Sequence, residues 1–127
     1  MYGGNVMLAD AGQISVTEYI GGRSKSEVLT EGYLVRANHS MFGLIDNQRG
    51  NSPRRYAEMD AFVGALFADL GDLDREAIIR RCRDRLRTPP ILQERTRSSF
   101  VIDVVDRRVD YCVGGGSWQT FRFPTAS

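Results

Sequence analysis

A basic surplus is missing from this chain: 17 Lys+Arg stand against 16 Asp+Glu, a formal net charge of +1. Neutralising a phosphate backbone takes an excess of cations, so no nucleic-acid partner is expected. Long apolar runs are also missing; none approaches the roughly 20 residues that span a bilayer, and no membrane partner is expected. The opening Met1-Tyr2-Gly3-Gly4-Asn5 has no basic start followed by an apolar stretch, so no signal peptide is expected either. Histidine occurs once, as His39, which argues against an all-protein zinc site and leaves no metal or other cofactor to expect. Cysteine occurs twice, and Cys82 and Cys112 lack the spacing of a metal or redox pair. Their spacing does not decide whether they form a disulfide; the preferred reading is two reduced, buried thiols in a cytoplasmic protein. Lysine is nearly absent, with Lys25 the only one, and the arginine bias is given no functional weight.

What is present is ordinary globular material. The 127 residues, 42% hydrophobic and 26% charged, fit one domain over 1–127 with no internal linker. The first forty residues read as strands. Val6-Met7-Leu8-Ala9 ends in the turn Asp10-Ala11-Gly12, where Gly12 is free to take positive φ. Ile14 to Tyr19 alternates until Gly21-Gly22 breaks the pattern. Glu27–Thr30 and Tyr33–Arg36 are two further β-like runs separated by Glu31-Gly32, which together suggest an antiparallel meander.

From Gly43 to Asn51 the polar residues Asp46, Asn47, Gln48, Gly50 and Asn51 read as a loop. Ser52-Pro53 then predicts a helix, with Ser52 as N-cap and Pro53 at the first helical position. Tyr56, Met59, Val63, Leu66, Phe67 and Leu70 form its apolar stripe, and Gly71 ends it. Asp72 or Asp74 caps a second helix whose apolar line is Ile78, Cys82 and Leu86, with an arginine-rich solvated face, stopped by Pro89-Pro90. Strands return at Ser99–Val105 and Val109–Val113, joined by Asp106-Arg107-Arg108, with a last strand at Phe121–Phe123. The order β-rich, helix pair, β-rich is an α+β pattern: antiparallel sheets with an antiparallel helix pair on one face.

Few residues carry chemistry. Asn38-His39 ends a predicted strand, where an Asn amide can donate to a developing oxyanion, though read alone Asn38 more readily caps a turn and His39 is partly exposed. The run Gly114-Gly115-Gly116-Ser117 lacks the helix and Lys of a phosphate loop and reads as a connection. Arg95 and Arg97 stand just ahead of a predicted strand, where arginine binds carboxylates bidentately or forms a structural ion pair. Asp10 or Asp103 with His39 is a weaker pairing, supported by no spacing.

Four segments resemble one family. Gly4-Asn5-Val6-Met7-Leu8-Ala9-Asp10-Ala11-Gly12-Gln13 with Val16-Thr17-Glu18 resembles the opening strands of the penicillin acyltransferase-like (isopenicillin N acyltransferase-like) family. Arg36-Ala37-Asn38-His39-Ser40-Met41-Phe42 resembles its Asn-His segment, and Ser52-Pro53-Arg54-Arg55-Tyr56 its helix start. Thr96-Arg97-Ser98-Ser99-Phe100-Val101-Ile102-Asp103, with Tyr111 and Gly114, resembles its closing strands. The resemblance covers the family's C-terminal part only.

That resemblance implies an N-terminal-nucleophile hydrolase or acyltransferase of linear amides or thioesters, built as an αββα sandwich. It implies that Asn38 serves the oxyanion hole and that Arg97 or Arg95 is an orienting cation. The chain begins with Met1 rather than the family's N-terminal cysteine, and Cys82 on a helix and Cys112 in a strand look structural. The expected partner is therefore a second chain or segment carrying an N-terminal Cys, with a small acyl-amide or acyl-thioester substrate. The alternative is a binding or assembly module that retains the half-fold and covers an apolar sheet face by forming a homo-oligomer.

Overall fold

The structure, a computed structural model, describes residues 3–46 and 50–124; Met1, Tyr2 and the expected loop residues Asn47 and Gln48 lie outside the described residues. The elements are β1 (Gly3–Ala9), β2 (Ile14–Ile20), β3 (Arg23–Leu29), α1 (Ser52–Ala68), α2 (Arg75–Leu86), β4 (Ser98–Asp103), β5 (Arg108–Val113) and β6 (Gln119–Arg122). They form an α+β protein with two antiparallel three-stranded sheets, ordered β1-β2-β3 and β4-β5-β6. The chain divides into two compact units, Met1–Phe67 and Ala68–Ser127, each described by itself. No helix among the described residues is long and apolar enough to cross a membrane.

In the first unit the β1–β2 turn is closed by a side chain. Asp10 Oδ1 accepts from the N–H groups of Gly12 at 2.7 Å and Gln13 at 2.9 Å. Gly12 is not among the positive-φ glycines, because Asp10 supplies the turn. Gly21 and Gly22 do more than break a strand. Both have positive φ, at 54° and 78°, and Ile20 pairs directly with Arg23, so they make a two-residue hairpin.

That hairpin starts β3 at Arg23 rather than at Glu27. Tyr33–Arg36, expected as a strand, lies outside any strand; its side chains pack instead of extending a ladder. Val35 is buried, the Tyr33 ring stands 5.7 Å from Phe67 of α1, and Arg36 pairs with Glu27 at 3.1 Å. Packing has overridden β propensity here. α1 ends at Ala68, so Leu70 and Gly71 fall in a separate 3-10 turn and the inward stripe closes at Leu66.

In the second unit α2 starts where Asp74 accepts from Ala77 N at 2.7 Å, and its apolar face packs on β4. β4 stops at Asp103, short of the expected Val105, because Asp103 Oδ1 accepts from Val105 N and Asp106 N at 3.1 Å each and turns the chain. Arg107, with φ of 52°, completes that turn.

The arginine row expected to be solvated partly fastens the unit. Arg83 reaches Asp110 of β5 and lies 5.5 Å from the Trp118 ring, while Arg87 donates to Gly115 O at 2.6 Å. Asp110 is wholly buried and receives Arg108 Nε at 2.7 Å, Arg108 Nη2 at 2.9 Å and Thr120 Oγ1 at 2.9 Å. Burial works to raise the Asp110 carboxyl, but these donors outweigh it and hold the group below the usual carboxylate range. Hydrogen bonding to Asp110, joined by Glu76, raises Arg108 against the opposing pull of burial.

The second sheet keeps one apolar face open. Phe100, Tyr111 and Gln119 align across the second sheet, as do Ile102, Val109 and Phe121, so these side chains share a face. Ile102 is 63% exposed there. On the first sheet Val6, Leu8, Tyr19 and Val28 are exposed.

Candidate functional site

The segment from Asn38 to Leu44 has no repeating backbone ladder, and side chains from elsewhere hold it. Ser52, the first residue of α1, turns its hydroxyl onto this segment. Its Oγ accepts from Asn38 N at 2.8 Å and His39 N at 3.0 Å, and lies 2.9 Å from His39 Nδ1. A hydroxyl has two acceptor lone pairs and one proton. Both lone pairs are taken by the backbone, which directs the hydroxyl proton toward Nδ1.

This corrects two expectations. Ser52 does not cap the helix; the carbonyl of Asn51 accepts the first helical bond, from Arg55 N at 2.9 Å. His39 is buried, with its ring edge-on to Tyr56 at 5.5 Å. With its lone pairs engaged, Ser52 is a positioning hydroxyl and not a nucleophile.

Glu18 holds the same segment from the β2 side. Its buried carboxylate accepts from Ser40 Oγ at 3.0 Å, Met41 N at 3.0 Å and Phe42 N at 3.2 Å. Ser40 Oγ in turn accepts from Leu44 N at 3.0 Å. Strand alternation explains why Glu18 is placed there: it shares the inward face of β2 with buried Val16.

Asn38 is presented at the edge of this anchored segment. Arg55 Nη2 donates to its Oδ1 at 2.5 Å. A guanidinium only donates, so the oxygen of the amide faces Arg55 and the NH2 group is turned the other way. Asn38 also lines a crevice of about 180 Å³. Polar Asn5, Glu18 and Ser40 line it with Asn38, as do Tyr19, Ile20 and Ile45 and the glycines Gly3 and Gly4. Asn5 faces Glu18 across the β1–β2 ladder, and its Nδ2 donates to Ala37 O at 2.9 Å.

The other sequence candidates are used differently. Arg95 and Arg97 belong to the second unit and are exposed; Arg97 O accepts Gly114 N at 2.8 Å, a main-chain role. Asp10 is spent on its own turn, and Asp103 pairs with Arg75 at 2.7 Å, so neither is seen with His39. For Asp103, burial pulls upward and is outweighed by Asp106 N, Arg75 and Val105 N, which lower the carboxyl. Gly114 to Gly116 is a turn, with Gly116 N donating to Val113 O at 3.0 Å.

Cys82 and Cys112 are free thiols. Burial pushes the Cys82 thiol up, with Arg81 opposing, which is the reverse of an activated nucleophile. No cluster of three or more metal-ligating side chains occurs among the described residues.

Sequence reading missed the supports of Asn38: Arg55, Ser52 as an anchor, Glu18 and Asn5. A signal existed for two of them. Ser52 and Arg55 are three apart, one helical turn, and so face the same neighbour. Nothing local marks Glu18, because its partners lie 22 to 24 residues away. No family model matches the chain, and no curated protein or solved structure matches it either.

Proposed function

We propose that this chain is the C-terminal part of an N-terminal-nucleophile acyltransferase or amide hydrolase acting on linear amide or thioester bonds. In this reading Asn38 donates from Nδ2 to the oxyanion, and the nucleophilic Cys comes from another chain or a missing segment. The observation that carries it is the orientation of Asn38: Arg55 holds the amide by its oxygen, and Ser52 fixes its backbone at the edge of a crevice. A donor held in advance of the reaction stabilises developing charge without reorganising. Arg55, in contact with Asn38, suits the orienting role better than Arg95 or Arg97, for which no side-chain partner is seen among the described residues. The αββα sandwich is the fold that goes with this reading.

The test is to purify the chain with its native partners and treat the complex with an activated acyl donor. Intact mass should then show one acyl group on a Cys-led partner. A complex that forms no adduct with any donor contradicts the proposal.

A second reading is an assembly module. The open apolar face of the second sheet favours it, since monomeric proteins rarely leave such a face wet. Sedimentation at micromolar concentration distinguishes the two: a monomer without exposed-hydrophobe dye binding contradicts self-association.

A further inference from the structure

β4 lies at one edge of the sheet β4-β5-β6, so it pairs on one side only. Gly114 N donates to Arg97 O, and these two residues continue the β4–β5 register. Hydrogen-bonded and non-hydrogen-bonded pairs alternate in an antiparallel ladder, so Ser99, Val101 and Asp103 bond to β5. Ser98, Phe100 and Ile102 therefore turn their N–H and C=O groups outward, and no partner for these is seen among the described residues. The opposite edge is blunter, since β6 has only four residues and ends on Arg122.

α2 overhangs the β4 edge. Arg75, Ile78, Ile79 and Cys82 share one face of the helix and line a groove of about 530 Å³. Residues 101–104 line its other side. Consecutive residues point their side chains to opposite faces of a sheet, so they line one groove only along the strand's edge. The space is where a fourth strand would lie, beside β4 and beneath α2. Arg75 and Asp103, the charged groups that line it, pair with each other, so neither is left to balance an incoming charge.

We propose that the α2–β4 groove binds an extended, uncharged segment of another polypeptide, which adds to β4 as a strand and sets alternate apolar side chains against Ile78 and Cys82. Main-chain bonds to Phe100 and Ile102 supply affinity, and the helix face supplies selection. A second copy pairing β4 with β4 in one antiparallel sheet would bring its own α2 into the space this α2 already overhangs. A lone segment fits where a covered edge does not. The groove lies within the second unit, whereas Asn38 belongs to the first, so it does not depend on the acyl-site reading.

The test titrates the isotope-labelled chain with acetyl-Lys-Val-Thr-Val-Thr-Val-Lys-amide, N-methylated at both Thr so that it cannot stack into fibres. At saturation, amide hydrogen exchange at Phe100 and Ile102 should slow about tenfold more than at Ser99 and Val101, which already bond to β5. The same peptide N-methylated at every residue should bind about tenfold more weakly, as should one with Glu in place of the central Val. Ile102→Pro removes only an outward N–H, which an edge strand tolerates, and should weaken binding by about tenfold. The comparison of peptides on the wild-type chain stands even if that variant folds poorly. Equal binding of the fully methylated peptide, or no binding of either up to about 1 mM, overturns the proposal. Slowed exchange at Phe100 and Ile102 on concentrating the chain without peptide gives the edge to a second copy and overturns it too.

Discussion

Glu18 in the first unit and Asp110 in the second are both buried carboxylates, and their partners differ in kind. Glu18 is held by two backbone N–H groups and a hydroxyl, all on the segment that follows Asn38. Asp110 is held by two guanidinium groups and a hydroxyl, which tie α2 to β5. Neutral donors fix a segment by direction, one bond at a time. Charged donors fasten a helix to a sheet, and each charge becomes a liability when its partner goes. The first arrangement suits a loop that presents a side chain, and the second suits a scaffold.

The contrast is broken most sharply at Asp110. Asp110→Ala leaves Arg108 buried without its main partner and should cost about 3–5 kcal/mol. Urea unfolding followed by the single tryptophan, Trp118, reads this directly because its ring lies against Arg83. Ser52→Ala in the first unit removes one hydroxyl from three groups and should cost roughly 1–3 kcal/mol. Ser52→Thr, which keeps the hydroxyl, should recover most of that loss.

Acid should separate the units by kind. Asp103 and Asp110 are lowered in the folded chain, so they add stability above the ordinary carboxylate range and lose it as pH falls through their folded values. Trp118 fluorescence should therefore report loosening of the second unit as pH drops below about 4. Asp110→Asn should flatten that dependence. The smallest effect is expected at Asn38: it is exposed, and Asn38→Ala should change stability by no more than about 0.5 kcal/mol.

Much of the fold could be read from local pattern, because turns and caps act over a few residues. Asp10 and Asp74 close the elements they were expected to close, and β5 and α2 keep close to their predicted spans. The errors lie where distant groups decide. Tyr33–Arg36 has strand composition, yet Phe67 and Glu27 draw its side chains into packing. Ser52 has cap chemistry, yet its lone pairs go to residues 13 and 14 positions earlier. At the candidate site, Asn38 was legible as an amide at the end of a β-like run. Its orientation was not, because the guanidinium that sets it is 17 residues away.

Asn38 is the point on which the account turns. The most direct measurement is the acylation rate of the Cys-led partner in the purified complex, wild type against Asn38→Ala, by intact mass over time. Loss of an oxyanion donor predicts a fall of about 10²–10³-fold with unchanged assembly. Rates equal within about twofold would contradict it, since so small a change is well under 1 kcal/mol of barrier.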